Sequence, residues 1–195
     1  MRASLSDGRA QRVFDVVGAV AGLVFFAAPM AAIALAIAVT DGLPILFRQE
    51  RLGRARRPFT ILKFRSMRGE SVTPIGRLLR ATGLDELPQL VNVLSGDISA
   101  VGPRPLTASD VDRLGWETPS CDFRWSVRPG LTGLAQVVGT RSARHALRFD
   151  RCYIAHRTIA LDLQLVAWSF AINVIGKTRV RRLLSRSRAR IPASL

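Results

Sequence analysis

A stretch of uncharged residues near the N-terminus constrains this chain more than any other feature. It runs from Val16 to Val39, and nearly all of its residues are apolar. As a helix rising about 1.5 Å per residue, such a stretch is long enough to cross the hydrocarbon core of a bilayer. A cleaved signal peptide is disfavoured, because the apolar run is too long and no clean cleavage site follows it. We therefore expect the segment to be retained.

Two features of this segment bear on whether it crosses. Pro29 lies near its middle and is expected to kink the helix, because proline lacks an N–H and clashes with the preceding turn. Arg12 precedes the segment, and a densely basic stretch, residues 48–68, follows it. Basic flanks favour the cytoplasm, so positive charge at both ends disfavours a simple crossing. The residues alone leave two arrangements open: a spanning helix, or one that enters, breaks at Ala28-Pro29 and returns.

The net charge of the whole chain limits the classes of partner that we expect for it. With 29 Lys and Arg against 14 Asp and Glu, the formal net charge is +15, which points to nucleic acid, anionic lipid or a phosphorylated substrate. A hydrophobic content of 48% beside that charge suits a protein that lies on a membrane. Cys121 and Cys152 have no metal-binding spacing and suggest two free thiols in a reducing compartment.

The motif LDELPQL, residues 84–90, is chemically the most suggestive stretch. We predict a short helix here, with Thr82 as its N-cap and Asp85 as the reciprocal capping acid. An apolar stripe at helical spacing is predicted to pack inward, and it consists of Leu87, Leu90, Val91 and Leu94.

Asp85 and Glu86 would then lie in the first helical turn. The helix dipole keeps carboxylates ionised at that position, which favours a nucleophile or a metal ligand over an acid with a raised pKa. Acids in a first turn are also ordinary capping chemistry. The surroundings argue for more than capping, because Arg80 precedes the pair and the rigid, charged sequence Gly102-Pro103-Arg104-Pro105 follows it.

Elsewhere the pattern predicts local elements. Two β-prone runs, residues 45–47 and 59–64, with Gly53 between them predict a hairpin. Thr73-Pro74 is expected to cap a short basic helix. Residues 110–122 are expected to form a polar loop. The glycine-punctuated loop at 128–133 would either only make a turn or also let a ligand approach the backbone closely. Two further helices are expected, over residues 143–157 and 161–175; the second is either a core helix or an amphipathic helix on a membrane surface.

The residues around the acidic motif resemble the signature of the bacterial sugar transferases, the monotopic phosphoglycosyl transferases that start cell-envelope glycan synthesis. The matching run is RATGLDELPQLVNVLSGDISAVGPRP, residues 80–105. Three more blocks agree in order: ILFRQERLGRARRPFTILKFRSM (45–67), VRPGLTGLAQVVG (127–139) and YIAHRTIALDLQL (153–165). The resemblance covers roughly residues 12–177. By resemblance, the chain looks like the minimal catalytic form of the family, without the extra N-terminal membrane helices of larger relatives.

That resemblance implies a mixed α/β fold in a monotopic protein of the bacterial inner membrane. It implies a re-entrant N-terminal helix, broken at Ala28-Pro29 where the family typically has Ser-Pro, with interfacial amphipathic helices and a small β element. The expected divisions of the chain are a flexible N-terminus (residues 1–11), the re-entrant membrane helix (12–40), a catalytic domain facing the cytoplasm (41–176) and a basic tail (177–195).

The activity implied is transfer of a sugar 1-phosphate from a nucleotide sugar, usually a UDP-sugar, to a polyprenol phosphate at the cytoplasmic membrane face. Such a transfer initiates an exopolysaccharide, an O-antigen or a glycoprotein glycan. By resemblance, Asp85 is the nucleophile that forms an aspartyl-phosphosugar, and Glu86 places Mg²⁺ or deprotonates the lipid phosphate. Mg²⁺ is expected on both acids, since it favours hard oxygen ligands and substrate phosphates. The expected substrate- and phosphate-binding residues are Arg80, Arg104, Arg128, Asp162, Lys63, Arg65, Arg48 and Gln49.

Two other functions stay open. Val138 and Thr140 replace polar residues of the family pattern, which would fit a catalytically weakened, membrane-bound partner of a glycan assembly system. Retention of the acid pair argues against that function. The charge of +15 would fit a nucleic-acid-binding protein, but the long uncharged segment argues against nucleic acid. Anionic lipid is an expected partner, and a homo-oligomer is compatible with the sequence.

Overall fold

The computed structural model describes residues 5–140 and 142–176. The predicted basic tail, 177–195, and the first four residues of the predicted flexible N-terminus lie outside the described residues. Helices are α1 (Leu5–Phe25), α2 (Ala27–Thr40), α3 (Pro74–Thr82), α4 (Gln89–Ser95), α5 (Ala108–Leu114), α6 (Leu134–Val138), α7 (Ala143–His156) and α8 (Ile159–Ile175). Strands are β1 (Leu46–Leu52), β2 (Pro58–Phe64), β3 (Met67–Arg68), β4 (Ser71–Val72), β5 (Ser99–Val101) and β6 (Gly130–Thr132). The mixed helix and sheet composition agrees with the predicted fold class.

The N-terminal apolar segment forms two helices bent by 61°. The break lies at Phe26, not at Ala28-Pro29 as predicted. Pro29 lies in the first turn of α2, and a proline ring clashes with the carbonyl four residues earlier, here that of Phe25. Among the described residues, no single helix is long and apolar enough to cross a membrane, whereas this bent pair together meets that length and composition. Helix α1 begins at Leu5, earlier than the predicted boundary at residue 12.

Helix α1 is joined to the rest of the chain by polar contacts at its N-terminal half. Arg12 donates to the carbonyls of Val93 and Leu94, each at 2.6 Å, and so satisfies acceptors at the C-terminal end of α4. Asp15 is buried and accepts hydrogen bonds from the Ser99 hydroxyl at 2.9 Å and the Ala100 N–H at 2.8 Å. These bonds fix the start of the apolar segment against β5 and α4.

The predicted hairpin is confirmed. Strands β1 and β2 are antiparallel, with Leu46 opposite Phe64 and Leu52 opposite Pro58, so β1 extends further than its β-prone core. Phe64 packs with Ile37 of α2 and Leu79 of α3 in one hydrophobic cluster. This cluster holds the hairpin between the apolar segment and α3.

The glycine-punctuated loop approaches the chain's own backbone. Strands β5 and β6 form a short parallel pair, and a Cβ added at Gly130 would lie 2.0 Å from the nitrogen of Gly102. A Cβ added at Gly133 would lie 2.1 Å from the Gly102 carbonyl oxygen. The predicted role in approaching a ligand is therefore corrected: these glycines let two backbone segments pack directly against each other.

The acidic motif does not begin a helix at Thr82. Thr82 is the last residue of α3, and Gly83 ends that helix in a left-handed conformation with φ of 73°. Leu84–Glu86 form a 3₁₀ turn, called the dyad turn below, and α4 begins at Gln89. Pro88 explains the difference, because it has no N–H to offer the Leu84 carbonyl, which accepts from the Leu87 N–H at 3.3 Å instead.

The predicted apolar stripe of α4 is partly wrong. Val91 is exposed, whereas Gln89, Asn92 and Val93 are buried. Asn92 is buried because its side chain bonds the hairpin, accepting from the Leu62 N–H and donating to the Thr60 carbonyl. Side-chain hydrogen bonding to β2 therefore decides which face of α4 is covered.

The region predicted as a polar loop, 110–122, is structured. Thr107 and Asp110 form a capping box that begins α5, and a 3₁₀ segment follows at Pro119–Ser126. Trp116 and Trp125 pack in a cluster between these elements. The other predicted helices agree within a few residues.

Candidate active site

A cavity of about 1190 Å³ opens between the hairpin, the dyad turn and helices α6 to α8. Its lining includes most of the residues that the sequence analysis selected, namely Gln49, Lys63, Arg65, Arg80, Asp85, Glu86 and Arg104. These residues come from five separate parts of the chain, so the fold brings together groups that the sequence separates.

The two carboxylates of the dyad turn differ in their surroundings. Lys63 on β2 donates to Glu86 across 2.6 Å. Within the described part of the chain, Asp85 has no salt-bridge partner. Burial raises the pKa of Asp85, and the adjacent Glu86 carboxylate raises it further, while Lys63 and Arg80 lower it. The prediction that a helix start keeps the pKa of this acid from being raised is therefore wrong: α4 starts after the pair, and burial raises the pKa of Asp85.

Arg51 is a cavity residue that the sequence analysis did not select. Its guanidinium lies 3.3 Å from the Asp110 carboxylate and 2.5 Å from the Gln49 amide oxygen, and its buried Nε has no hydrogen-bond partner among the described residues. Burial lowers the pKa of Arg51, and the charge of Arg104 lowers it further. Arg51 therefore shares the Asp110 carboxylate with Arg113 and feels the charge of Arg104, and the resulting excess of positive charge suits an anionic ligand.

The alternation of side chains along β1 explains which of its residues reach the cavity. Phe47, Gln49 and Arg51 all line it, as expected for every second residue of a strand. Arg48 lies on the other face and lines a separate, shallow surface pocket with Asp97. A strict reading of the two-residue period in the run FRQER would have selected Arg51 and rejected Arg48.

The structure does not bring the last two predicted residues, Arg128 and Asp162, into the cavity lining. Arg128 is half-buried near Arg12 and Asp15, and burial lowers its pKa. Asp162 is buried and accepts hydrogen bonds from the Tyr153 hydroxyl at 2.8 Å and the Gln11 amide at 3.1 Å. Asp162 is therefore placed to hold α1 against the rest of the fold.

Arg65 lines the cavity, but its guanidinium is engaged elsewhere. It donates to the carbonyls of Asp41 and Gly42, each at 2.6 Å, in the turn that follows α2. Arg68 donates to the same Asp41 carbonyl. These contacts tie the end of the apolar segment to the hairpin.

A buried ion pair supports the far wall of the cavity. Arg124 Nε lies 2.8 Å from an Asp150 carboxylate oxygen, and the two side chains are 3% and 5% exposed. Arg124 also donates to the backbone carbonyl of Arg104 at 3.1 Å and lies over the Trp116 ring at 4.8 Å. This pair positions the backbone of Arg104.

Of the two positions where polar residues of the family pattern are replaced, Thr140 lines the cavity and Val138 does not. Helices α6 and α8 complete this side with uncharged polar groups, and the cavity-lining ones are Gln136, Ser169 and Asn173. Thr140 therefore lies where a bound molecule can contact it, and the replacement at Val138 lies outside the lining.

Comparison with known proteins gives a consistent set of matches. A family model described as bacterial sugar transferase matches residues 6–176. A UDP-glucose:undecaprenyl-phosphate glucose-1-phosphate transferase from Caulobacter vibrioides is 42% identical over 174 residues, which cover 82% of this chain and 63% of that protein. A UDP-N-acetylgalactosamine-undecaprenyl-phosphate N-acetylgalactosaminephosphotransferase from Aeromonas hydrophila is 37% identical over 175 residues, covering 80% and 41%. The chain thus spans less than two thirds of the length of these two relatives. An uncharacterized sugar transferase from Bacillus subtilis, EpsL, is 35% identical over 170 residues, which cover 80% of this chain and 83% of that protein.

Proposed function

The chain belongs to the bacterial sugar transferase family, and from that premise we propose that it transfers a sugar 1-phosphate from a nucleotide sugar to a polyprenol phosphate. The names of the relatives support this choice, because they carry UDP-glucose or UDP-N-acetylgalactosamine as donor and undecaprenyl phosphate as acceptor. The donor is a UDP-sugar, and the product begins an envelope glycan.

The observation that carries the proposal is the contrast between the two acids of the dyad turn. Glu86 is paired with Lys63, whereas Asp85 has no salt-bridge partner within the described residues and faces a cavity rich in cations. A carboxylate free to attack, beside groups that bind phosphate oxygens, is what covalent phosphoryl transfer requires.

The transfer proceeds in two displacements at one phosphorus atom. An Asp85 carboxylate oxygen attacks the phosphorus that bears the sugar, and the bond to UMP breaks with its electron pair leaving on UMP. A phosphate oxygen of the polyprenol phosphate then attacks the same phosphorus, and the bond to Asp85 breaks to restore the carboxylate. Arg51, Arg104 and Arg80 hold the phosphate oxygens and offset the charge that develops on them. Glu86, held by Lys63, accepts the proton of the incoming phosphate.

The acid pair also fits a magnesium ion. Asp85 and Glu86 offer hard oxygen ligands side by side, and their mutual repulsion contributes to the raised pKa of Asp85. A divalent cation would relieve that repulsion, with donor phosphates completing its ligands. Bound there, Mg²⁺ would supply neutralisation of the diphosphate charge.

A polyprenol acceptor requires the chain to work at a membrane surface. The bent pair α1 and α2 carries strongly exposed apolar residues, among them Val24 at 73% and Phe25 at 76%. A re-entrant insertion from the cytoplasmic face of the inner membrane would cover these residues, and the net charge of +15 would favour anionic lipid. This arrangement brings the lipid phosphate and a soluble UDP-sugar to the same cavity.

Release of UMP tests the proposal. The protein in detergent receives UDP-sugars, undecaprenyl phosphate and Mg²⁺, and Asp85→Asn is compared with Asp112→Asn, which changes an exposed acid outside the cavity lining. We expect release from the wild type and Asp112→Asn and none from Asp85→Asn. Release that survives in Asp85→Asn would remove the nucleophile from the proposal. No release from any donor by folded wild-type protein would remove the reaction.

A further inference from the structure

The cavity has two chemically different sides. The hairpin and the sequence GPRP contribute cations, whereas α6 and α8 contribute uncharged polar groups. On α8, Ser169 and Asn173 are the cavity-lining polar residues of an otherwise apolar C-terminal half. They are four residues apart and therefore lie on one face of the helix.

Asn173 lies directly beside the dyad turn. A Cβ added at Gly83, two residues before Asp85, would lie 2.6 Å from the Asn173 amide nitrogen and 3.1 Å from its amide oxygen. Close contact with an amide is possible here because Gly83 has no side chain. The uncharged side of the cavity therefore begins where the reacting carboxylate is held.

Gln136 adds an unused acceptor to the same side. Its amide oxygen is buried and has no hydrogen-bond partner among the described residues, although the side chain lines the cavity. A buried acceptor without a donor is destabilising, so a bound molecule that donates a hydrogen bond there would be favoured. Hydroxyl and amide N–H groups are such donors.

We propose that Ser169, Asn173 and Gln136 form the subsite that recognises the sugar of the donor. The inference rests on the proposed function, in which Asp85 attacks the phosphorus bonded directly to the sugar, so the sugar must lie next to the dyad turn. The cations occupy the side that suits the diphosphate. The uncharged hydroxyl and amide groups match the sugar's hydroxyl and acetamido groups, which carry no charge.

The subsite is tested by binding, so that the result does not depend on turnover. Dissociation constants for UDP-glucose, UDP-N-acetylgalactosamine and UDP are measured in detergent for the wild type, Ser169→Ala and Asn173→Ala, with no acceptor and with Mg²⁺ chelated so that the donor is not consumed. The matched control is Gln164→Ala, an exposed amide on α8 that does not line the cavity. Thermal unfolding of each variant checks that it is folded.

We expect each subsite variant to weaken at least one UDP-sugar by about three- to tenfold, the loss of one neutral hydrogen bond, and to change the preference between the two sugars. UDP, which lacks the sugar, should bind each variant within about twofold of wild type, and Gln164→Ala should change nothing. Any of three results would overturn the subsite. The first is a variant that weakens the binding of UDP and the UDP-sugars equally, the second is a variant that changes the affinity of none of them, and the third is a wild type that binds UDP and the UDP-sugars equally. The expected binding pattern without UMP release would instead reject the reaction and keep the subsite.

Discussion

Asp162 should make the fold less stable as the pH rises from acid to neutral. Its side chain is 2% exposed, and burial raises its pKa to about 6 from an ordinary 3.8. The groups that face it are Tyr153 from α7, Gln11 and Asp15 from α1, and Arg157 after α7. The Tyr153 and Gln11 hydrogen bonds and the positive charge of Arg157 lower the pKa, and Asp15 raises it, but burial dominates.

The sign follows from proton binding in the two states. Between pH 3.8 and about 6 the folded chain holds a proton on Asp162 that the unfolded chain has lost, so the free energy of unfolding falls as the pH rises. At about 1.4 kcal/mol per pKa unit, the free energy of unfolding falls by about 3 kcal/mol over the whole titration. For a chain of this size that corresponds to a Tm change of about 6–12 °C.

The assay compares thermal unfolding of wild type and Asp162→Asn at pH 4 and pH 7.5, in the same detergent. Asparagine keeps an oxygen for Tyr153 and carries no charge. The free energy of unfolding of Asp162→Asn, relative to that of the wild type, should therefore rise between the two pH values by most of that 3 kcal/mol. Asp112→Asn, which changes an exposed acid, should show no such trend. A difference between Asp162→Asn and wild type that does not depend on pH would refute the reasoning.

Two further changes follow from single contacts. Lys63→Met leaves Glu86 without its partner and removes a charge that lowers the pKa of Asp85. The acidic limb of the pH profile of UMP release should therefore move to higher pH, and a limb that does not move would contradict this. Gly102→Ala places a Cβ 2.6 Å from a backbone carbonyl and should cost about 1–3 kcal/mol or more in thermal unfolding. Gly18→Ala, where an added Cβ meets nothing within 4 Å, should cost nothing, and equal losses in both would contradict the packing argument.

The hairpin and the capped helix α3 could be predicted because their signals are local. The runs 45–47 and 59–64 are rich in β-formers. The Thr73 hydroxyl accepts from the Gly76 N–H at 3.0 Å, as a Thr-Pro helix start predicts. The capping box at Thr107 and Asp110 is equally local, and a search for that spacing would have placed α5. Local signals were sufficient wherever neighbouring residues satisfy one another's hydrogen bonds.

The direction of the pKa shift of Asp85 could not be predicted from its neighbours in the chain. A helix start at Thr82 led to the expectation that the pKa of this acid is not raised, but Gly83 ends the preceding helix and the dyad turn lines the cavity. Burial then outweighs backbone dipoles in setting the pKa of Asp85. Burial is a property of the packed fold, so a window of sequence cannot supply it.

The sequence by itself determined the bend-forming apolar segment, the excess of cations and the presence of an acid pair, because these depend on composition and on contacts within a few residues. Tertiary structure decided which cations face the acids. Arg51 enters the cavity and Arg48 does not, Arg124 finds Asp150, and Asn173 reaches Gly83 from the far end of the chain. These pairings depend on strand register and helix packing over long separations, where many alternatives satisfy the same local pattern.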